Sequence, residues 1–510
     1  MSKEVLCIIL LVVFFAIMIY VGFYSRKHAT DVNGFVLGGR GVGPWLTAFA
    51  FGTSYFSAVI FVGYAGQFGW IYGIASTWIG IGNALIGSLL AWVVLGRRTK
   101  VMTQHLRAKT MPDFFGQRYG SKALKIVASV IVFVFLIPYT ASVYNGLSRL
   151  FGMAFNIPYT WCVIAMAVFT AIYVILGGYM ATAINDFIQG IIMLFGIVAV
   201  IASVLNGQGG FMEAVSKMAQ IPSDVPATMG QPGAFTSFFG PDPLNLLGVV
   251  ILTSLGTWGL PQMIGKFYAI KDEKSINTGT VISTLFAIVI SGGCYFLGGF
   301  GRLFDSAEIY NAETGAVVYD SIIPSMLSKL PDILIGIVVV LVLSASMSTL
   351  SSLVLTSSST MTLDLLKDNI MKEMSEKKQI ITMQILIVFF IVVSVVIALD
   401  PPTFIAQLMG ISWGALAGAF LAPFLYGLYW KGVTRAGVWA GFIAGVGITV
   451  SNMFIGYIAS PINAGAVAMV AGLVIVPLVS LVTPKLKKED VDEIFTCYEE
   501  KVVSTKKRNL

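Results

Sequence analysis

The chain has 510 residues, 57% of them hydrophobic and only 11% charged, with a formal net charge of +7. Soluble globular domains carry about 25% charged residues, so this composition excludes a water-soluble fold and places the chain in a bilayer. Four cysteines (Cys7, Cys162, Cys294 and Cys497) at no close spacing and two histidines (His28 and His105) exclude a transition-metal or redox motif.

Windows of about 20 apolar residues, the length that crosses a bilayer, predict thirteen spans. They fall at 4–24, 42–66, 70–96, 124–152, 158–177, 182–205, 245–268, 277–300, 332–361, 379–399, 403–429, 436–458 and 463–483. The first has no basic stretch before it and no small-residue cleavage site, so a retained helix is expected in place of a signal peptide. The second carries GTSYFS at Gly52–Ser57, a glycine and hydroxyls at mid-depth. Beyond the third, Met111–Tyr119 has the aromatic and basic mixture of a short interfacial helix. Asp186 lies about one turn into the sixth span, where an ionisable group is costly and points to function. The seventh span packs two glycines and a proline into GTWGLP at Gly256–Pro261. The ninth holds the hydroxyl run Ser344–Ser352, which alone favours close helix packing.

Glycine weakens a helix and proline removes a donor, so the second and seventh spans read as broken helices. Each opens a block of five spans, 41–205 and 245–429, and five is odd, so the second block enters the membrane in the opposite direction. Interrupted helices at matching places in two halves mark an inverted-repeat transporter. The remaining segments are 1–40 (an extra helix and loop), 206–244 (an outer loop), 430–484 (two extra helices) and 485–510 (a basic tail). Placing the N-terminus outside puts 27 of the 32 basic residues, and the tail, in the cytoplasm. The net charge therefore reports topology, and its scatter gives no nucleic-acid patch. In such a fold the hydroxyl run faces the first break, and hydroxyls with freed carbonyls form a sodium site of about five oxygens.

Several short motifs follow in order: FVLGGR at Phe35–Arg40, GTSYFSA at Gly52–Ala58, GGY at Gly177–Tyr179 and NDFIQ at Asn185–Gln189. Pro261 with KFYA at Lys266–Ala269, MSTLSS at Met347–Ser352, DLLK at Asp364–Lys367 and GLYWK at Gly427–Lys431 complete them. Together they resemble the sodium/solute symporter family, with the flavour of its proline and pantothenate branch. The resemblance implies an all-α membrane protein with a leucine-transporter-type 5+5 inverted repeat, working by alternating access. It implies sodium ligands at the carbonyls of Thr53, Phe56 and Ala345 and the side-chain oxygens of Ser348 and Thr349. Asp186 matches an aspartate on the inner sodium path, and Ser344, Ser346, Ser351 and Ser352 are left to packing. Proline-type members carry an acidic residue at the position of Tyr55 and aromatic residues at those of Thr253 and Thr257, and this chain has none of them. Arg149 and Lys266 lie near span ends, too far out to hold a solute. The expected solute pocket is lined by Tyr55, Ser57, Tyr139, Tyr144, Thr257, Trp258, Gln262 and Gln407.

The expected function is sodium-coupled import of one small organic solute, such as a proline-like amino acid, pantothenate or a monocarboxylate, across the plasma (inner) membrane. Sodium is the expected ion and membrane lipid the expected surroundings; the oligomeric state is left open. Proton-coupled symport is the alternative, and a channel a lesser one, since two inverted halves argue for rocking over a symmetric filter. An enzyme is not expected: Asp186 has no histidine or metal partner with which to build a catalytic constellation.

Overall fold

The computed structural model describes residues 3–155, 158–400 and 402–499; the rest of the basic tail lies outside the described residues. Regular structure is helical throughout these residues, and extended pairing is confined to the isolated bridges Val42–Ile270 and Tyr310–Val317. Eleven helical stretches are long and apolar enough to cross a membrane. Two of these, Val59–His105 and Tyr159–Gly207, run to 47 and 49 residues, about twice the usual crossing length. Each is split by a glycine at positive φ: Gly73 (φ 62, ψ −143) and Gly178 (φ 53, ψ −147).

In chain order the helices that build the bundle are α1 (Lys3–Ser25), α2 (Pro44–Tyr55), α3 (59–72), α4 (77–105), α5 (Met111–Tyr119), α6 (Lys122–Phe155), α7 (159–177) and α8 (179–207). They continue with α9 (Pro243–Gly256), α10 (Pro261–Ala269), α11 (Glu273–Gly298), α12 (Asp332–Ile370), α13 (Glu376–Leu399), α14 (Ile405–Tyr429), α15 (Arg435–Ile455) and α16 (Pro461–Val482). The expected breaks are present: Phe56 is extended (φ −94, ψ 117) between α2 and α3, and Leu260 (φ −84, ψ 122) precedes α10. The ninth predicted span continues nine residues beyond its expected end at 361, because its last turns widen into a π-helix over Met361–Ile370.

Burial sorts the helices. In α14 the most apolar stretch is 89% buried and in α12 it is 78% buried, whereas α1 and α13 each reach only 28%. The outer helices turn Val12, Ile385, Val392 and Leu478 outward, the apolar surface that lipid accepts. Glycines let inner backbones touch: a Cβ on Gly69 would stand 2.0 Å from the Gly298 carbonyl oxygen, so α3 and α11 meet main chain to main chain.

Helix α5 has the predicted bounds. Thr110 caps it by accepting from the Asp113 amide at 3.1 Å, and Gly120 (φ 56) ends it. Its aromatic face is buried against α14, with Phe115 5.4 Å from Phe420 and the Tyr119 hydroxyl donating to the Pro423 carbonyl at 2.6 Å. The short helix expected from its composition is present, and its aromatic residues pack on the bundle. Nearby, Lys125 of α6 holds Asp113, Asp364 and Asp368 at 2.7, 3.3 and 2.6 Å, tying α5 to the end of α12.

Beneath the two broken helices, the segment before α2 pairs with the segment after α10. The Val42 amide donates to the Ala269 carbonyl (3.1 Å) and the Lys271 amide to the Val42 carbonyl (2.9 Å). Arg40 donates to the carbonyls of Tyr268 and Ala108, and Lys100 donates to those of Arg40 and Tyr268.

Between α11 and α12, buried Asp320 accepts from the Ile405 amide at the start of α14 (3.3 Å), and its other oxygen has no partner among the described residues. Burial pushes its pKa from an ordinary 3.8 up to about 6, against smaller opposite pulls from Arg149 and that amide. The folded state therefore holds this proton more tightly than the unfolded chain, and the group's contribution to stability falls as pH rises from about 4 through 6. Asp320→Asn is expected to melt higher than the parent at pH 8, with the difference shrinking at pH 4.5. An equal shift at both pH values refutes the assignment. Gly178→Ala is expected to lower stability by about 1–3 kcal/mol, since a Cβ would also lie 2.7 Å from the Phe35 carbonyl oxygen. Gly447→Ala, with nothing within 4 Å, should be neutral or stabilising by about 0.5–1 kcal/mol. Thermal melts in detergent check both, and equal melting of the two variants contradicts the strain argument.

Candidate functional site

Where α2 stops, its last carbonyls lose their helical partners and α12 lies opposite. The Thr349 hydroxyl of α12 stands 3.1 Å from the Thr53 carbonyl, 3.2 Å from the Phe56 carbonyl and 3.2 Å from its own helix's Ala345 carbonyl. One hydroxyl proton serves one acceptor at a time. The carbonyls of Thr53 and Phe56, and that of Ala345, which also serves its own helix, therefore compete for one hydroxyl proton, and such a set of oxygens suits a hard cation. The fifth predicted ligand, Ser348, is buried, and its hydroxyl faces the Asp186 carboxylate without close hydrogen-bond geometry. Four of the five expected sodium ligands thus come together around Thr349, while Ser348, the next residue of α12, turns its hydroxyl to Asp186.

Of the serines left to packing, Ser346 and Ser352 do more than fill space, while the buried Ser344 hydroxyl has no partner among the described residues. Ser346 accepts from the Ala58 amide (3.2 Å), one of the donors the break sets free. Ser352 joins the Ser54 hydroxyl of α2 (2.7 Å) and accepts from the Lys266 ammonium (3.0 Å). Ser351 donates to the Ser348 carbonyl at 2.8 Å. Lys266, expected near a span end, is instead 3% exposed and stands 3.9 Å from Asp186. The end of a short helix reads as surface in sequence, but Tyr179, α2 and α12 close over it.

The second break is secured differently. Thr257 donates to the Gly87 carbonyl (2.8 Å) and the Trp258 indole to the Ile86 carbonyl (2.9 Å). Both carbonyls belong to a π-helical stretch of α4, Asn83–Leu90. A cavity of about 10 Å³, room for about one water, lies between the first break, α4 and α11. Its walls include Tyr55, Phe56, Thr257 and Phe286, with the polar pairs Asn83–Ser291 (3.0 Å) and Ser88–Ser283 (2.8 Å). None of these side chains is charged.

The eight residues expected around the solute do not form one lining. Tyr55 and Thr257 line the cavity. Tyr139 reaches the Tyr55 carbonyl at 3.5 Å, while Ser57 caps α3 by accepting from the Val59 amide at 3.2 Å. Trp258 is anchored to α4 as described, and Tyr144 turns toward Thr170 of α7. Gln262 lines a separate cavity of about 40 Å³ beside Lys266. Gln407 pairs with Thr403 at the start of α14. Composition gave no signal for Trp413, which is fully buried, 5.6 Å from Tyr55 and 5.8 Å from Tyr139 between ring centroids, and against Gly256. Asn83, Ser88 and Ser283 carry no sequence signal either, because isolated small polar residues in apolar spans are ordinary packing.

Two interrupted helices exposing main-chain oxygens inside a lipid-wrapped bundle define a multi-pass membrane transport protein. The chain belongs to the sodium:solute symporter family, whose profile matches residues 35–445. It is accordingly a sodium-coupled symporter, and sodium is its coupling ion. It is 31% identical over 502 residues to the sodium/proline symporter of Staphylococcus aureus (strain NCTC 8325), covering 94% of this chain and 93% of that protein. The same protein from strain COL matches equally. Among solved structures it is similar to a Na+-coupled sialic acid symporter in a substrate-bound outward-open state, with a TM-score of 0.75 at 15% identity, covering 96% of this chain and 100% of that one. A nucleobase-cation-symport-1 family transporter in a closed conformation aligns with a TM-score of 0.52 at 13% identity, covering 90% and 98%. These two likenesses report the fold.

Ser346→Ala is expected to orphan the Ala58 amide and lower stability by about 1–3 kcal/mol, while sodium selectivity stays unchanged. Thermal melts with sodium and with choline check this, and an unchanged melt contradicts the role of Ser346 at the break.

Proposed function

We propose that the chain imports a small carboxylate-bearing solute together with sodium, and that Thr53, Phe56, Ala345, Ser348 and Thr349 supply the sodium ligands. The observation that carries this reading is the single Thr349 hydroxyl shared among three buried carbonyls at the first break. A proline-like amino acid, pantothenate and simple monocarboxylates all carry the required group. The Staphylococcus aureus relative's activity favours the amino acid, while Tyr55, Thr253 and Thr257 depart from the proline-type pattern.

The uncharged cavity supports a coupling mechanism. The first amides of α3 are already bonded to Ser346, the Ser57 hydroxyl and the Ser57 carbonyl. A solute carboxylate would therefore rest on the hydroxyls and amide around Asn83, Ser283 and Thr257. The positive charge that these walls lack would come from sodium, since Phe56 both lines the cavity and offers its carbonyl to the ion. Sodium and solute then neutralise one another in a low-dielectric site, where either alone is costly. Widening the cavity from about 10 Å³ requires the surrounding helices to move, as alternating access demands.

The wider architecture follows the same reading. The glycine-split stretches bring the crossings to thirteen, with two inverted five-helix repeats at 41–205 and 245–429, one extra helix before them and two after. The basic excess supports an N-terminus outside, a cytoplasmic tail and a place in the plasma (inner) membrane.

Uptake of labelled L-proline, pantothenate and lactate into proteoliposomes, with sodium or choline at fixed pH, tests the function. Sodium-driven accumulation of at least one solute is expected. Thr349→Ala should weaken apparent sodium affinity by about tenfold or more, equivalent to about 1.4 kcal/mol, and the double change with Ser348→Ala should abolish coupling. Accumulation that follows a proton gradient in choline, with no sodium requirement, would overturn this reading.

A further inference from the structure

Lys266 is a buried cation with few partners. Among the described residues its ammonium makes one hydrogen bond, to Ser352 at 3.0 Å, stands 3.9 Å from the Asp186 carboxylate and lies 5.1 Å from the centre of the Tyr179 ring. A closed ammonium–carboxylate contact measures about 2.7–2.9 Å, so this pair is held about 1 Å short of closure. Asp186 is fully buried, and neither of its oxygens has a hydrogen-bond partner in close geometry. On its other side it faces Ser348.

Ser348 and Ser352 are one turn apart and share a face of α12. Thr356 and Ser359 extend the row into the cavity of about 40 Å³ that Lys266 and Gln262 also line. A cation leaving Ser348 and Thr349 along these hydroxyls passes between Asp186 and Ser352, and there it meets the Lys266 ammonium. Two cations thus have access to one carboxylate, from opposite sides.

We propose that Lys266 is a charge gate on the sodium site, a positioning residue whose ammonium competes with the ion for Asp186. With sodium bound, the carboxylate is shared and the ammonium stays with Ser352. When sodium leaves, the ammonium closes onto Asp186, which neutralises the emptied site and opposes re-entry of sodium from the same side. The two groups attract across a low-dielectric gap, and no bond is made or broken. This inference rests on the sodium site proposed above, and the experiment separates the two.

Binding of labelled sodium to the purified full chain is measured for the parent, Lys266→Met, Lys266→Arg and Thr349→Ala, alongside turnover in proteoliposomes. Lys266→Met is expected to bind sodium about tenfold more tightly and to turn over more slowly, because release is hindered. Lys266→Arg should keep the parent's affinity, and adding Asp186→Asn to Lys266→Met should remove the gain. Should Lys266→Met not purify as a folded protein, Lys266→Gln removes the same charge while keeping a donor for Ser352. If Thr349→Ala weakens binding while the uncharged variants bind sodium no more tightly than the parent, the charge gate is wrong and the sodium site stands. If Thr349→Ala leaves binding unchanged, the site reading fails and the charge gate with it.

Discussion

A peptide carbonyl released from its helix inside a low-dielectric bundle must find a partner, and the placement of the central helices follows from that requirement. At the first break the partners are hydroxyls. Thr349 meets the freed carbonyls and Ser346 the freed amide, so α12 must present a polar face to α2 despite its apolar surroundings. At the second break the arrangement is reversed. There the side chains of Thr257 and Trp258 donate outward, and the π-helical stretch of α4 supplies the carbonyls. The irregularity of one helix thus answers the irregularity of another.

Such contacts need close approach, and small residues provide it. Gly256 gives room for the Trp413 ring, Gly259 lets its strand of backbone sit against Ala417, and Gly52 accepts the edge of Phe286. Trp413 consequently stands beside both breaks, touching Tyr55 across one and Gly256 at the other.

The membrane class, the two breaks and the hydroxyl run were legible in sequence because each is a compositional anomaly. Gly52–Ser57, Gly256–Pro261 and Ser344–Ser352 stand out against long apolar spans, and their spacing relates them to one another. Lys266 was not legible, since its burial is made by Tyr179, Asp186 and Ser352, all distant in the chain. The π-helical turns of α4 leave no local signature, for they depend on donors that arrive from α9 and the break beyond it. The solute lining was the least legible part. Tyr144 and Gln407 are as apolar or polar as Tyr55 and Asn83, and only the rotation of each helix decides which of them meets the cavity.

The pairing of Val42 with Ile270 has a mechanical meaning. Two main-chain hydrogen bonds, braced by Arg40 and Lys100, splice the ends of α2 and α10 into one lever. Helices α2 and α10 cannot swing independently without cutting that splice, and a joined pivot of the two would turn on the extended residues Phe56 and Leu260 at the lever's far end.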